Sequence, residues 1–252
     1  MILRALVRRL VPLSLRQDIR QLWRTHMDDW RGLRFTRVRG EILSPSPIRL
    51  VQPIRQTSLY QNKLTNLRRA AALLDGQLIA PGANWSFWHA IGRPDACNGF
   101  VAGRNLVGGR LVEQTGGGLC QMASLVYHLA LLAGLGIRER HAHSVDIYRE
   151  EERFTPLGAD ATVVWGFKDL RLTNPHAFPL VLRVSVADGE FGGELCGEFH
   201  AQGMLVGRSV EFVREAFAPG QVRVHTLTGG VVLDVTEYRQ MPGILAAQPA
   251  FV

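Results

Sequence analysis

Glu113-Gln114-Thr115-Gly116-Gly117-Gly118-Leu119-Cys120-Gln121 sets three consecutive glycines just ahead of a cysteine. The residues that follow, Met122, Leu125, Val126, Leu129, Leu132 and Ala133, recur at helical spacing. A helix is therefore expected from about Cys120 to Leu135, stopped by Gly134 and Gly136. The cysteine would be its first residue, at the positive end of the helix dipole, where a thiolate is favoured. Free backbone N–H groups at the same place can hold an anion or a developing oxyanion.

This is how a nucleophilic cysteine is built, so Cys120 is the expected nucleophile. His141 and His143 follow as alternative general bases, and His143 is taken as the base. Asp146 and Asp160 lie further on, either able to orient an imidazole, and Asp160 is taken as the third member. The order Cys, His, Asp is that of transglutaminase-like and papain-like enzymes. Gln114 precedes Cys120 by the separation that papain-like proteases use for an oxyanion-hole glutamine. The run from Cys120 through Leu131-Leu132 to Gly136-Ile137 and Arg140 is similar to the core helix of transglutaminase-like domains. Gly116, Gly117 and Gly118 allow a substrate backbone to come close. With Gln121, His141 and Trp88 they make the expected substrate-binding set. A rival reading of Cys120 with the His141-x-His143 pair is a three-ligand zinc site. The Cys–His–Asp order favours the triad, so no metal and no cofactor is expected. His128 reads as a packing or surface residue.

Upstream, Leu64, Leu67, Ala71 and Leu74 share one face of a helix over residues 61–76, and Gly76 sits where it would stop. Pro45, Pro47 and Pro53 mark an extended crossing before it. Gly92 to Gly109 reads as a long loop. Downstream the pattern turns strand-like over Thr162–Phe167, Leu170–Thr173, Leu180–Val186 and Phe191–Phe199. Further strands are expected near Ser209–Val213, Gln221–Thr226 and Val231–Tyr238. Helix, loop, helix and then many strands is α+β, with the cysteine-bearing helix packed on an antiparallel sheet in a transglutaminase-like or papain-like core. Three segments are expected: a basic amphipathic segment over 1–45, a principal domain over 46–200 and a β-rich extension over 201–252.

With 252 residues, 46% apolar and 20% charged, the composition excludes a disordered or collagen-like chain. No apolar run reaches the roughly 18–20 residues that a membrane-spanning helix needs. The net charge is +7, and 27 of the 29 basic residues are arginine, Lys63 and Lys168 being the only lysines. Residues 1–35 carry eight Arg and three Asp, a net +5. The body is thus nearly neutral, which argues against nucleic acid as a partner. Ile2, Leu3, Leu6, Val7, Leu10 and Val11 recur at helical spacing among Arg4, Arg8 and Arg9. These arginines interrupt the unbroken core that a secretory signal requires. The segment reads as a helix docked on the domain or lying on anionic lipid through residues 1–35. Cys97, Cys120 and Cys196 form no disulfide framework, so a reducing, cytoplasmic location with peripheral membrane contact is expected.

The chain resembles the VanW family, named for an accessory protein of a vancomycin-resistance operon. The matching stretches are Pro81-Gly82 through Trp85-Ser86-Phe87-Trp88 with Gly92, Gly116 through Met122, and Glu139-Arg140-His141-Ala142-His143-Ser144. Gly158-Ala159-Asp160-Ala161-Thr162-Val163 and Asp169-Leu170 with Asn174 complete them, over roughly residues 60–200. The resemblance implies a link to the bacterial cell envelope or peptidoglycan. Together with the residues it points to acyl transfer on an amide of a peptidoglycan-type peptide. The alternative is a non-catalytic module that holds a peptide or glycan end.

Overall fold

A computed structural model of the chain describes residues 11–107, 110–148, 150–190, 192–201 and 205–240. Four helices are described: α1 (Leu13–Trp30), α2 (Tyr60–Leu74), α3 (Phe87–Ile91) and α4 (Leu119–Leu132). The core follows from two of them. Leu64, Leu67, Ala70, Ala71 and Leu74 form the buried face of α2, while α4 is buried almost all round. A helix apolar on every side needs cover on every side. Part of that cover is a four-stranded antiparallel sheet in the order β1 (Ile48–Ile54), β10 (Gly192–Ala201), β9 (Leu180–Gly189) and β2 (Gln77–Ile79). Helix α4 lies on β1 and β10, α2 lies on β9, and the two helices touch. Gly197 of β10 is under α4, where a Cβ would come within 2.6 Å of Leu129 and 2.8 Å of Leu125. The close approach of helix to sheet requires glycine there.

A three-stranded sheet, β3 (Asn84–Ser86), β8 (Arg171–Thr173) and β6 (Gly136–Glu139), extends the same core through buried Trp85 and Leu172. A second four-stranded sheet is built from β11 (Glu211–Ala218), β12 (Gln221–Thr228), β13 (Val231–Gln240) and β7 (Val145–Asp146), the last pairing parallel to β13. Leu157, Val222, Val224 and Tyr238 form a separate small core beneath it. The molecule is α+β, as the order of sequence patterns implies.

Two stretches differ from expectation. Gly92–Gly109 is not all loop: β4 (Ala102–Val107) pairs antiparallel with β5 (Arg110–Thr115). Alternation is hidden in β4 because Gly103 occupies a position that must let another backbone in. Thr162–Phe167 is not a strand but a tight turn closed by Val164 and Lys168, whose amides each donate to the other's carbonyl at 2.9 and 2.8 Å. Gly166 makes the turn at φ 74°, and a Cβ there would lie 2.2 Å from the Gln17 carbonyl oxygen of α1.

Helix α1 docks on that turn through its polar side. Its polar side faces the body, with Gln21 and Asp28 buried. Asp18 accepts from Trp165 Nε1 at 3.0 Å and pairs with Arg93 at 2.7 Å, while Arg24 pairs with Glu139 at 2.5 Å. Leu15, Ile19, Leu22, Trp23 and Trp30 face outward, Leu22 71% and Trp30 76% exposed. The apolar stripe through Ile2, Leu3, Leu6, Val7 and Leu10 lies outside the described residues, as does the end of the β-rich extension beyond residue 240.

The anchor at the end of α1 is a buried ion pair, Arg171 donating to both carboxylate oxygens of Asp28 at 2.9 and 2.8 Å. Both side chains are no more than 10% exposed. An Asp28→Ala variant is expected to lose about 3 kcal/mol in urea unfolding, the low end for breaking a buried pair, because Asp169 still faces Arg171. A loss below about 1 kcal/mol, the scale of an exposed pair, would show that water already screens this contact.

Candidate functional site

The glycine run positions Cys120 by backbone geometry. Gly116 and Gly118 take φ 84° and 101°, values that favour glycine. Gly117 packs directly against Gly103 of β4, where a Cβ would fall 2.3 Å from the Gly103 carbonyl carbon. Asn66 of α2 binds this junction with its whole amide, Nδ2 donating to Val101 O and Gly117 O at 3.0 and 2.9 Å and Oδ1 accepting from Val101 N at 2.9 Å. The hairpin, α2 and the head of α4 are thereby locked together. The helix starts at Leu119, one residue earlier than the spacing predicts, so Cys120 is its second residue. The Cys120 backbone N–H has no acceptor among the described residues.

His143 and Asp160 reach the cysteine from two chain segments that run side by side, joined where Thr162 N–H donates to His141 O at 2.6 Å. The Cys120 thiol donates to Val163 O at 3.8 Å, His143 interacts with it electrostatically, and His143 Nδ1 meets Asp160 Oδ2 at 2.7 Å. The His143 backbone N–H donates to the same oxygen at 2.8 Å. Asp160 Oδ1 accepts from Arg140 Nη2 at 3.0 Å and Tyr238 OH at 2.5 Å. Burial alone would raise the Asp160 carboxyl, but these donors and charges hold it well below the usual range. Burial likewise opposes the His143 cation, yet the Asp160 hydrogen bond and the thiol bring His143 up to about 10. Burial pushes the Cys120 thiol up, and its interaction with His143, with smaller help from Lys168, brings it below the ordinary value. Both shifts act in the direction of a thiolate–imidazolium pair.

The other sequence candidates divide. Asp146 is held by Arg153 and by the Tyr148 amide at 3.2 Å, so it does not orient the imidazole. His141 bonds Glu139 at 3.0 Å. Among the described residues no three His, Cys, Asp or Glu side chains converge to hold a metal, so the zinc arrangement of Cys120, His141 and His143 is not assembled. Gln114 is an exposed residue of β5 that lines the same cavity as the thiol. Gln121 is buried and donates to Pro53 O at 2.9 Å, tying α4 to β1. Trp88 is a wall, its Nε1 donating to Lys168 O at 2.7 Å and its ring edge-on to Trp165 at 5.6 Å. His128 packs on Phe212 of β11, and burial pushes it down to about 4. Arg140, Tyr127 and Tyr238 were not foreseen as site residues. Arg140 also stacks over Tyr127 at 4.9 Å and donates to Asp234 and Thr236 at 3.0 and 2.6 Å. Its place between Glu139 and His141 was the only available signal for it.

Two cavities meet at Cys120 and His143. One of about 500 Å³ has aromatic walls from Trp88, Trp165 and Phe167, with Gln114 and Lys168 at its edge. The other, of about 230 Å³, is lined by Lys63, Arg104, Gln121, Tyr148 and Arg153.

An α+β scaffold with a helix-borne cysteine beside a hydrogen-bonded His–Asp pair thus describes the molecule. The model of the family described as VanW like protein matches residues 62–196, more than half of the chain, and the chain belongs to that family. It is 32% identical over 161 residues to the Vancomycin B-type resistance protein VanW of Enterococcus faecalis, covering 63% of this chain and 58% of that protein. It is 29% identical over 138 residues to the uncharacterized protein YoaR of Bacillus subtilis, covering 55% of this chain and 43% of YoaR. The chain therefore spans about half the length of these curated relatives. No solved structure matches it.

The charge state of the thiol can be read directly. In a His143→Ala variant the burial that raises the thiol remains while the largest influence that lowers it is gone, so its pKa rises. Iodoacetamide labelling of Cys120 at pH 7 is expected to slow by at least about tenfold, since each pKa unit costs a decade of thiolate. An unchanged rate would mean that His143 does not hold the proton.

Proposed function

We propose that the chain is a cysteine-dependent amide hydrolase or acyltransferase with a transglutaminase-like or papain-like core, acting on peptidoglycan-type peptides of the bacterial cell envelope. The observation that carries this reading is the line from Cys120 through His143 to an ionised Asp160 at the head of a buried helix. The name of the enterococcal relative supports a link to vancomycin-type resistance.

The residues divide the work as follows. The Cys120 thiolate attacks the amide carbonyl carbon and a C–S bond forms. Negative charge on the oxygen is met by the free Cys120 N–H and the Gln114 side chain. The C–N bond then breaks and the departing amine takes the proton of the His143 imidazolium. Water, or an acceptor amine, gives a proton to His143 and attacks the thioester. This releases an acid, or a new amide, and restores the thiolate. Asp160 keeps His143 oriented and stabilises its charged form.

A mixture of peptidoglycan-derived peptides tests this by mass spectrometry. Amide cleavage or exchange is expected from the intact chain and expected to be lost on Cys120→Ala, with a thioester trapped on Cys120 at short times. Peptide binding that survives Cys120→Ala with no turnover by the intact protein would instead support the non-catalytic module.

We place the chain in the cytoplasm at an anionic membrane surface. The support is the outward face of α1, where Leu15, Ile19, Leu22, Trp23 and Trp30 are exposed on a segment of net charge +5. Each basic residue near such a surface contributes about 1 kcal/mol. A Leu22→Glu/Trp23→Glu variant is expected to keep its melting temperature, because these side chains are already in water, while losing most co-sedimentation with phosphatidylglycerol vesicles. Absence of vesicle binding by the unaltered protein at low salt would remove this placement.

A further inference from the structure

The smaller cavity beside Cys120 carries an unbalanced charge. Its anionic members are answered: Asp146 pairs with Arg153, and Asp160 with Arg140 and His143. Arg153 is answered in turn by Asp146 and Glu150. Lys63 and Arg104 are not. Neither side chain makes a hydrogen bond or ion pair among the described residues, although Glu113 faces Arg104 across the β4–β5 ladder. The Lys63 stem lies on Gly118, the residue that caps α4, with its Cγ 3.0 Å from where a Cβ of Gly118 would be. That contact places a half-buried cation two residues from the thiol. Burial, and then the like charge of Arg104, bring the Lys63 ammonium down to about 8. A half-buried ammonium with an exposed guanidinium near it in the same cleft is set to receive an anion.

We propose that Lys63 and Arg104 form a carboxylate subsite on this side of Cys120, so that the substrate is a peptide bearing a free carboxylate close to its scissile amide. This rests on the reading of Cys120 as the reactive thiol and adds the polarity of what it reacts with. The other cavity offers Trp88, Trp165 and Phe167, with Lys168 at its edge. The substrate would therefore lie with its carboxylate end toward Lys63 and its less polar part toward the aromatic wall. Lys63 and Lys168, the only lysines among 29 basic residues, thus line different cavities that share the thiol.

Two thiol reagents that differ by one carboxylate, 3-maleimidopropionic acid and N-ethylmaleimide, test this on the intact protein. Labelling is followed by peptide mass mapping at pH 7 and low salt, where Lys63 is still mostly protonated. Exposed Cys97 in the same molecule serves as the reference for the reagents and for the overall positive charge. The acid-to-neutral rate ratio at Cys120, divided by that at Cys97, is expected to be about tenfold, the low end for a cleft that focuses one sign of charge. It should fall to near one in a Lys63→Gln/Arg104→Gln variant and persist in Lys168→Gln. Circular dichroism checks that the variants are folded, and taking a ratio cancels any change in the thiolate population. A normalised ratio near one in the unaltered protein overturns the subsite. So does a ratio abolished by Lys168→Gln alone, which would put the anion on the aromatic side. If N-ethylmaleimide labels Cys120 no faster than Cys97, the catalytic reading itself fails, and that outcome is distinct from the other two.

Discussion

A buried carboxylate must be matched or it will not stay ionised, and Asp160 is the point where this chain meets that demand. Its two oxygens take four donors: the ring and backbone N–H of His143, the Arg140 guanidinium and the Tyr238 hydroxyl. Each donor belongs to a different task. His143 carries the charge state of the thiol. Tyr238 comes from β13, so the C-terminal sheet is fastened to the same atom that orients the imidazole. Arg140 is shared between Asp160, Asp234 and the Gly158 carbonyl, and thereby joins β13 to the loop that bears Asp160. Truncating any one of them leaves charge or a hydrogen-bonding group buried without its partner. Removing the carboxylate leaves both Arg140 and the imidazolium uncompensated.

A second constraint acts from the opposite side of the thiol and is purely steric. Gly116 and Gly118 are glycines because of φ, and Gly117 because Gly103 lies against it. This accounts for the glycine run without any substrate. The same geometry leaves the head of α4 uncapped by a side chain and the Cys120 N–H unbonded. The packing that explains the glycines also produces a free donor beside the sulfur, so the structural and chemical accounts of the motif are compatible. Ser124 adds a tie from within the helix, its hydroxyl accepting from Ala161 N–H at 2.9 Å and so fixing the Asp160 loop to α4.

How far this could be read from sequence depends on the range of each interaction. The glycines, Cys120 and the apolar face after it are local, and the helix they imply is present to within a few residues. The strands from Leu180 onward alternate cleanly and appear as β9 to β13. The choices between His141 and His143, and between Asp146 and Asp160, were open because two residues of one type look alike until their partners are known. Glu139 and Arg153 are the partners that draw His141 and Asp146 away. Tyr238 left no local trace, since it meets Asp160 across 78 positions. Thr162–Phe167 has a β-branched start, but Gly166 turns it so that α1 can lie on the turn. Helix α1 itself shows the limit of apolar periodicity. It reverses ordinary amphipathic docking: Asp18, Arg24 and Asp28 hold the helix by its polar side while its leucines and tryptophans face outward.

That inversion links the outer surface to the cleft. The turn on which α1 rests, Val164 to Lys168, is also a wall of the larger cavity, and Leu13 and Gln17 of α1 line the same space. Asp18 holds Trp165, Arg20 stacks over Phe167 at 5.1 Å, and Arg24 donates to Phe167 O at 3.4 Å. The polar grip of α1 therefore fixes the aromatic wall beside the thiol, while the apolar residues that a docked helix would ordinarily bury remain free. Packing through those apolar residues would have given a firmer helix but no outward face. Held by ion pairs instead, one helix both shapes the cavity and presents its leucines and tryptophans to whatever lies outside.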